Sequence, residues 1–190
     1  MWLVIFMFMK KLILLLLFIP LVSFGQNDFR KMFWGESKET LKEKYPDVIF
    51  IPENINGLES LTHFDNAVGF PASITYMFLE NELIGGAYIF NPLGFKGGDD
   101  KLKDFNSVSE RLNDKYEMER NDTWFKDTYK DDPDDLGYAI DFGDVVLSET
   151  GRKDDGKVII ANTLNKESHT LWFIIEAGTI AIGKSIDDDI

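Results

Sequence analysis

Alternating side chains predict a β-hairpin over residues 73–90. Large apolar side chains occupy every second position from 74 to 78, so they point to one face of a strand. The polar pair Glu80-Asn81 then provides a turn before a second apolar run. Gly85-Gly86 within that run indicates a bulge or the close approach of another segment to the backbone.

Two helices are predicted by apolar side chains that recur every three to four residues. Over residues 101–118 these side chains follow spacings of 3, 3, 4 and 4 and form one stripe. A shorter helix begins after Ser37, whose hydroxyl makes a good N-cap. It must end by Tyr45, because Pro46 disfavours a helical conformation in the residue before it.

The other periodic segments are short and rich in β-branched or aromatic residues, which predicts strands. These strands are expected at 48–51, 61–70, 138–148, 157–163, 169–175 and 179–183, with a break at Pro71, a turn over 150–156 and a polar connector over 119–136. Because short turns join the strands, they are expected to pair antiparallel. The chain is therefore predicted to be an α+β domain, with an antiparallel sheet packed by two helices.

A similarity between two segments of the chain is compatible with a tandem repeat. The segment 76–84 matches 172–180 at a constant offset of 96 residues, and the halves 29–98 and 99–184 each hold a helix followed by a meander. Two unrelated hairpins also share such a pattern by chance. A single domain over 26–184, followed by an acidic tail over 185–190, is therefore predicted with or without duplication.

The first 25 residues differ from the rest in composition. They contain no acidic residue, and the basic pair Lys10-Lys11 is followed by an apolar run over 12–18 and then by small residues. This layout is typical of a secretory signal peptide, so we expect cleavage near Gln26 and a periplasmic or secreted protein. An uncleaved anchor is the alternative, although the 13 residues over 12–24 fall short of the roughly 20 that span a bilayer.

Charge and cysteine content narrow the range of partners and chemistries. The 190-residue chain has a formal net charge of −13, which becomes −15 once residues 1–25 are removed. Such a surface argues against nucleic acid and anionic membranes as partners, and it would steer the domain towards a basic protein. The chain contains no cysteine, which excludes disulfides, Cys-ligated zinc, a thiol nucleophile and an N-terminal lipid anchor.

Few residues are spaced as catalytic or metal sites require. His63 and His169 are the only imidazoles and lie 106 positions apart, and no serine stands in a Gly-x-Ser-x-Gly context. The densest acidic cluster consists of Asp131, Asp132, Asp134 and Asp135. It is either a weak Ca²⁺ site or a solvated turn, since the alternating Asp-x-Asp-x-Asp-Gly loop is absent. No cofactor is expected.

The segment 33–41, Phe-Trp-Gly-Glu-Ser-Lys-Glu-Thr-Leu, resembles the opening of small exported bacterial α+β proteins, most of them of unknown function. The hairpin at 76–83 and the helix that follows it are similar too. The resemblance implies a fold like the helix-plus-meander domains of β-lactamase-inhibitor proteins and outer-membrane assembly lipoproteins, which are non-catalytic and bind other proteins. The absence of cysteine departs from the lipoproteins, so lipid anchoring does not carry over.

These observations predict an exported, non-catalytic domain that binds another protein or an envelope component. The expected contact surface is either the open face of the sheet or the connector aromatics Trp124, Phe125 and Tyr129. Two alternatives remain open. One is a small hydrolase that uses carboxylates or Ca²⁺, and the other is a structural or stress-related envelope protein.

Overall fold

Two antiparallel meanders of the chain join edge to edge in one sheet. The structure, a computed structural model, describes residues 28–55, 58–90, 96–153, 156–176 and 178. Within these ranges the strands are β1 (Ile51–Ile55), β2 (Leu58–Ala67), β3 (Phe70–Leu79), β4 (Glu82–Phe90), β5 (Glu119–Arg120), β6 (Thr123–Trp124), β7 (Val145–Lys153), β8 (Val158–Leu164) and β9 (His169–Ile175). Their order is β1-β2-β3-β4-β9-β8-β7-β5, with β6 paired to β7.

Three helices accompany the sheet in the described part of the chain. They are α1 (Lys38–Lys44), α2 (Gly98–Asn113) and α3 (Leu136–Phe142), the last preceded by a 3₁₀ turn over Pro133–Asp135. The predicted fold class, an α+β domain with an antiparallel sheet packed by helices, is confirmed. The N-cap is confirmed as well, because the Ser37 hydroxyl accepts a hydrogen bond from the Thr40 N–H at 3.3 Å.

The hairpin of β3 and β4 forms where the alternation predicts it. Glu80 and Asn81 connect the strands with positive φ angles of 50° and 68°, the conformation of a type I′ turn. The register shifts at Met77/Phe78, next to Gly85 on the partner strand, which confirms the bulge. The break expected at Pro71 is wrong: this residue pairs with Asn66 near the start of β3.

The largest correction concerns the strand predicted over 138–148. The chain instead forms α3, ends it at Gly143 with a left-handed φ of 74°, and starts β7 at Val145. The burial of Ala139 and Ile140 explains the difference. These neighbouring residues face the core together from a helix, whereas a strand would point them to opposite faces.

Other boundaries move by a few residues. The first strand begins at Ile51 and not at 48, and α2 spans Gly98–Asn113 instead of 101–118. The predicted strand over 61–70 is divided between two strands, since β2 ends at Ala67 and β3 begins at Phe70. Strand β7 extends to Lys153, into the predicted turn over 150–156. The predicted strand 179–183, the tail 185–190 and the segment 1–25 lie outside the described residues.

The helices contribute to clusters on one face of the sheet. Pairing places Tyr76, Gly86 and Phe173 in one row across β3, β4 and β9, and Ile160 of β8 continues it. The ring of Phe29 lies over this row, with its centroid 5.3 Å from that of Tyr76 and 6.1 Å from that of Phe173. One ring from the N-terminal segment therefore contacts both meanders.

Replacing Gly86 with alanine should destabilise the fold. An added Cβ would lie 2.3 Å from the Phe29 ring, which is itself buried in the core and cannot easily move away. We expect a loss of about 1–3 kcal/mol in the free energy of unfolding measured in urea. The control compares Phe29→Ala with the double variant Phe29→Ala/Gly86→Ala, because loss of the ring removes the atoms that the added Cβ would meet. A cost of Gly86→Ala that is as large without the Phe29 ring as with it would contradict this packing.

Candidate functional site

Aromatic side chains from the connector and from α3 meet at the surface. The Tyr129 ring stacks on Phe142 with a centroid distance of 6.0 Å and lies 6.4 Å from Tyr138. Tyr138 and Phe142 are 57% and 61% exposed. Tyr129, Tyr138 and Phe142 are called the aromatic patch below. The backbone of Phe125 is joined to the chain after α3, since its N–H donates to the carbonyl of Asp144, two residues after Phe142.

The three aromatic residues predicted as a binding surface have different surroundings. Phe125 is 65% exposed, and Tyr129 is half-buried within the aromatic patch. Trp124 instead pairs with Val145 through β6 and packs against the cluster beneath α2 and α3. Sequence reasoning missed Tyr138 and Phe142, although their spacing of four residues is the signal that places two side chains on one helix face.

The start of α2 holds α3 in position. The Asp141 carboxylate accepts a hydrogen bond from the Gly98 N–H at 2.8 Å, and so satisfies a donor that the cap residue Gly97 leaves open. A Cβ on Gly98 would lie 1.9 Å from the Gly137 carbonyl oxygen, so the two helices approach backbone to backbone. This contact sets the direction in which α3 presents the aromatic patch.

Negative charge surrounds the aromatic patch. Residues 125–142 hold six aspartates and two lysines. The ammonium of Lys126 lies 3.0 Å from Asp144, and that of Lys130 lies 3.1 Å from Asp127. Lys101 lies 3.5 Å from Asp141 of α3, so three lysines here are paired with carboxylates, and Lys166 lies beside Gly143 at the end of α3. The six aspartates still leave residues 125–142 with a negative net charge.

The acidic cluster contributes four of the six aspartates near the aromatic patch. Asp131, Asp132, Asp134 and Asp135 lie in the turn and the 3₁₀ segment before α3, and among the described residues none of their carboxylates has a cationic partner. The Asp132 carboxylate accepts a hydrogen bond from the Asp134 N–H at 3.0 Å. Across the described ranges, no group of three or more His, Asp or Glu side chains is arranged to hold a metal ion.

A second set of polar residues is buried between α2 and the sheet. Glu149 accepts hydrogen bonds from the Ser109 hydroxyl and from the Asn162 amide, the latter at 3.2 Å. The Asn162 oxygen lies 2.8 Å from Nε2 of His169. These four residues, called the buried polar chain, are each at most 7% exposed. Arg120 approaches from the surface, with Nη1 3.8 Å from Glu149.

The buried polar chain does not form a nucleophile and base pair. Asn162 stands between Ser109 and His169, so the imidazole cannot take the serine proton. Burial, together with the positive charge of Lys96, lowers the pKa of His169 to about 3, which keeps the ring neutral at pH 7. The arrangement fastens α2 to β7, β8 and β9.

Comparisons with protein-family models, with curated proteins and with solved structures found no match for this chain. None of the helices in the described ranges has the length and apolar character needed to cross a membrane.

Replacing His169 with glutamine should reduce the sensitivity of the protein to acid. Glutamine retains a donor for Asn162 but has no titrating group. The imidazole pKa is 6.5 in its ordinary state and about 3 when folded, so between these values the unfolded chain binds the additional proton. Wild-type stability should therefore fall by about 2 kcal/mol through this residue between pH 7 and pH 5.

Urea unfolding at the two pH values measures this loss. His63 needs its own variant, His63→Gln, because burial lowers its pKa too and it contributes in the same direction. The carboxyl groups titrate mainly below this window. A pH dependence that His169→Gln leaves unchanged would show that this imidazole accepts its proton in the folded state.

Proposed function

We propose that the protein is an exported, non-catalytic domain that binds a basic segment of another protein through the aromatic patch. The observation that supports this function is the exposure of Phe125, Tyr138 and Phe142 beside carboxylates that lack cationic partners among the described residues. Apolar rings and free carboxylates on one surface are complementary to the side chains of arginine and lysine.

Aromatic residues support such an interface energetically. Tyrosine and phenylalanine are enriched where proteins bind one another, and large rings bury much area with little loss of side-chain freedom. A guanidinium or ammonium group placed over a ring is also attracted by its negative face. The stacking of Tyr129 on Phe142 restrains both rings before a partner arrives.

The carboxylates of the acidic cluster contribute mainly to the rate and selectivity of binding. Asp131, Asp132 and Asp134 repel acidic partners and attract basic ones over about 8–10 Å at physiological salt. Because they are exposed, each contributes little to the final affinity. The partner is therefore expected to carry both an arginine or lysine cluster and enough apolar surface to cover the patch.

Three carboxyl groups of the N-terminal half, those of Glu36, Glu39 and Asp65, have pKa values shifted away from the range that a general acid needs. A hydrogen bond from Asn81 holds the pKa of Glu39 at about 2, and the backbone N–H of Asn66 lowers the pKa of Asp65. For Glu36, burial opposes ionisation, but the hydrogen bond from Lys44 outweighs it and lowers the pKa. A general acid needs the opposite shift, towards a pKa near neutral pH.

Export is supported by the composition of residues 1–25. When the full chain is produced in a bacterium, mass spectrometry should find a mature protein that begins near Gln26. Leu15→Arg interrupts the apolar run and should retain the uncleaved chain in the cytoplasm. A fusion to alkaline phosphatase, which is active only outside the cytoplasm, supplies an independent readout. An intact N-terminus in the membrane fraction would contradict export with cleavage.

Removing the exposed rings should weaken binding of a basic peptide. The probe is a synthetic peptide of alternating arginine and tryptophan, and binding is measured by titration calorimetry. We expect the double variant Tyr138→Ala/Phe142→Ala to bind about tenfold more weakly, because exposed anchor residues each contribute on the order of 1 kcal/mol or more. Both side chains are exposed, so the melting temperature should change little.

The matched control removes two exposed apolar side chains elsewhere. Ile49 and Phe64 are 89% and 63% exposed and belong to the N-terminal half of the chain, whereas the patch belongs to the C-terminal half. Their replacement with alanine should leave the affinity for the peptide unchanged. Equal affinity in the patch variant and the wild type, or equal weakening in the control, would exclude the patch as the binding surface.

A further inference from the structure

A groove beside the C-terminal half of α2 carries positive charge, in contrast to the negative net charge of the chain. Its volume is about 380 Å³, within the size range of small-molecule sites. Arg30, Arg111 and Lys115 line it, and no acidic side chain does, although the chain as a whole has a net charge of −13. It is called the cationic groove.

Backbone and side-chain contacts hold the two arginines in place. Arg30 donates from Nη1 to the Asp65 carboxylate at 2.7 Å and from Nη2 to the Asn66 carbonyl at 2.6 Å. Arg111 donates from Nη1 to the Val68 carbonyl at 2.7 Å. A guanidinium carries five N–H donors, so among the described contacts both side chains retain donors for a ligand.

Positive charge in the groove is only partly compensated. Asp65 neutralises Arg30, whereas within the described ranges neither Arg111 nor Lys115 has a carboxylate partner. Both lie at exposed positions near the end of α2. The groove thus offers a fork of guanidinium donors and one ammonium group to an anion, the chemistry that recognises carboxylate and phosphate.

The remaining wall of the groove is aromatic and aliphatic. Tyr88 of β4 and Phe173 of β9 meet at right angles with their ring centroids 6.2 Å apart, and Tyr116 lines the groove from beyond α2. The Arg30 guanidinium lies 5.7 Å from the centre of the Tyr88 ring. Buried Val108 and Leu171 complete an apolar floor.

We propose that the cationic groove binds an organic anion that has a carboxylate or phosphate head and an apolar body. Arg111 and Lys115 hold the head, while Tyr88, Tyr116 and Phe173 cover the body. A bare inorganic anion would leave the aromatic wall unused, and a neutral apolar molecule would leave the cations uncompensated. The ligand therefore needs both parts.

This site is independent of the aromatic patch. The patch adjoins the first turn of α2 through Asp141, and the cationic groove adjoins its last turns through Arg111. A 16-residue helix is about 24 Å long, so one small ligand cannot contact both ends. Loss of one binding activity in a variant therefore carries no information about the other.

Calorimetric titration with four probes at low ionic strength tests the proposal. Decanoate and decyl phosphate each have an anionic head and an apolar chain, whereas decanol lacks the charge and inorganic phosphate lacks the chain. We expect saturable binding of at least one of the two amphiphilic anions, at least tenfold tighter than either incomplete probe. Tighter binding of decanoate or of decyl phosphate identifies the preferred head. Decanol binding as tightly as both anions, or no saturable binding of either anion, would overturn the proposal.

Two variants locate the binding. Arg111→Gln and Lys115→Gln should each weaken binding of the amphiphilic anion by about tenfold, as expected for loss of a charged hydrogen bond. Within the described part of the chain the Lys115 side chain has no hydrogen bond or ion pair, so that variant separates binding from stability. Arg152→Gln is the matched control, because Arg152 also donates from Nη1 to a turn carbonyl, that of Gly156, at 2.9 Å. Unchanged binding in both groove variants would place the ligand elsewhere.

Discussion

The pairing of β4 with β9 is the interaction on which the rest of the molecule depends. Six residue pairs cross this seam, from Gly85 with Ile174 to Phe90 with His169. Without it the two meanders would each expose an open strand edge, which readily pairs with other chains. The seam also brings Tyr88 beside Phe173, so the aromatic wall of the cationic groove exists only when the halves are joined. Phe29 reinforces the junction, because its ring packs directly on Gly86. A larger residue at position 86 would leave no room for this ring.

Helix α2 carries negative charge at its first turn and positive charge at its last turn. Its first turn carries Asp99 and Asp100 and is capped by Asp141, and its last turn carries Arg111. This polarity matches the helix dipole, which favours anions at the N-terminus and cations at the C-terminus. The acidic aromatic patch and the cationic groove consequently lie at opposite ends of one rigid element. A total charge of −13 conceals this separation.

Local sequence patterns predict an element correctly where its apolar periodicity and its cap or turn residues indicate the same structure. The β3–β4 hairpin, α1 and β9 were predicted because alternation, the Ser37 cap and polar turns each point to the same structure. The strand predicted over 138–148 is wrong at residues 138–142, where Tyr138, Ile140 and Phe142 alternate as in a strand. Contact between Gly98 and Gly137, which lie 39 positions apart, favours the helix instead, and no local period contains that information.

The sequence by itself determined the α+β class, the antiparallel pairing and the excess of acidic residues, since each follows from local periodicity, short turns or composition. It also placed Phe125 and Tyr129 in an aromatic connector. Only the tertiary structure decided which rings share a surface, how Arg30 comes to lie near Arg111, and why both imidazoles are buried. These relations join residues from distant parts of the chain. The pairing of β4 with β9 and the packing of α2 on β8 set the first two, and His63 is covered by Tyr45, Phe50 and Tyr76.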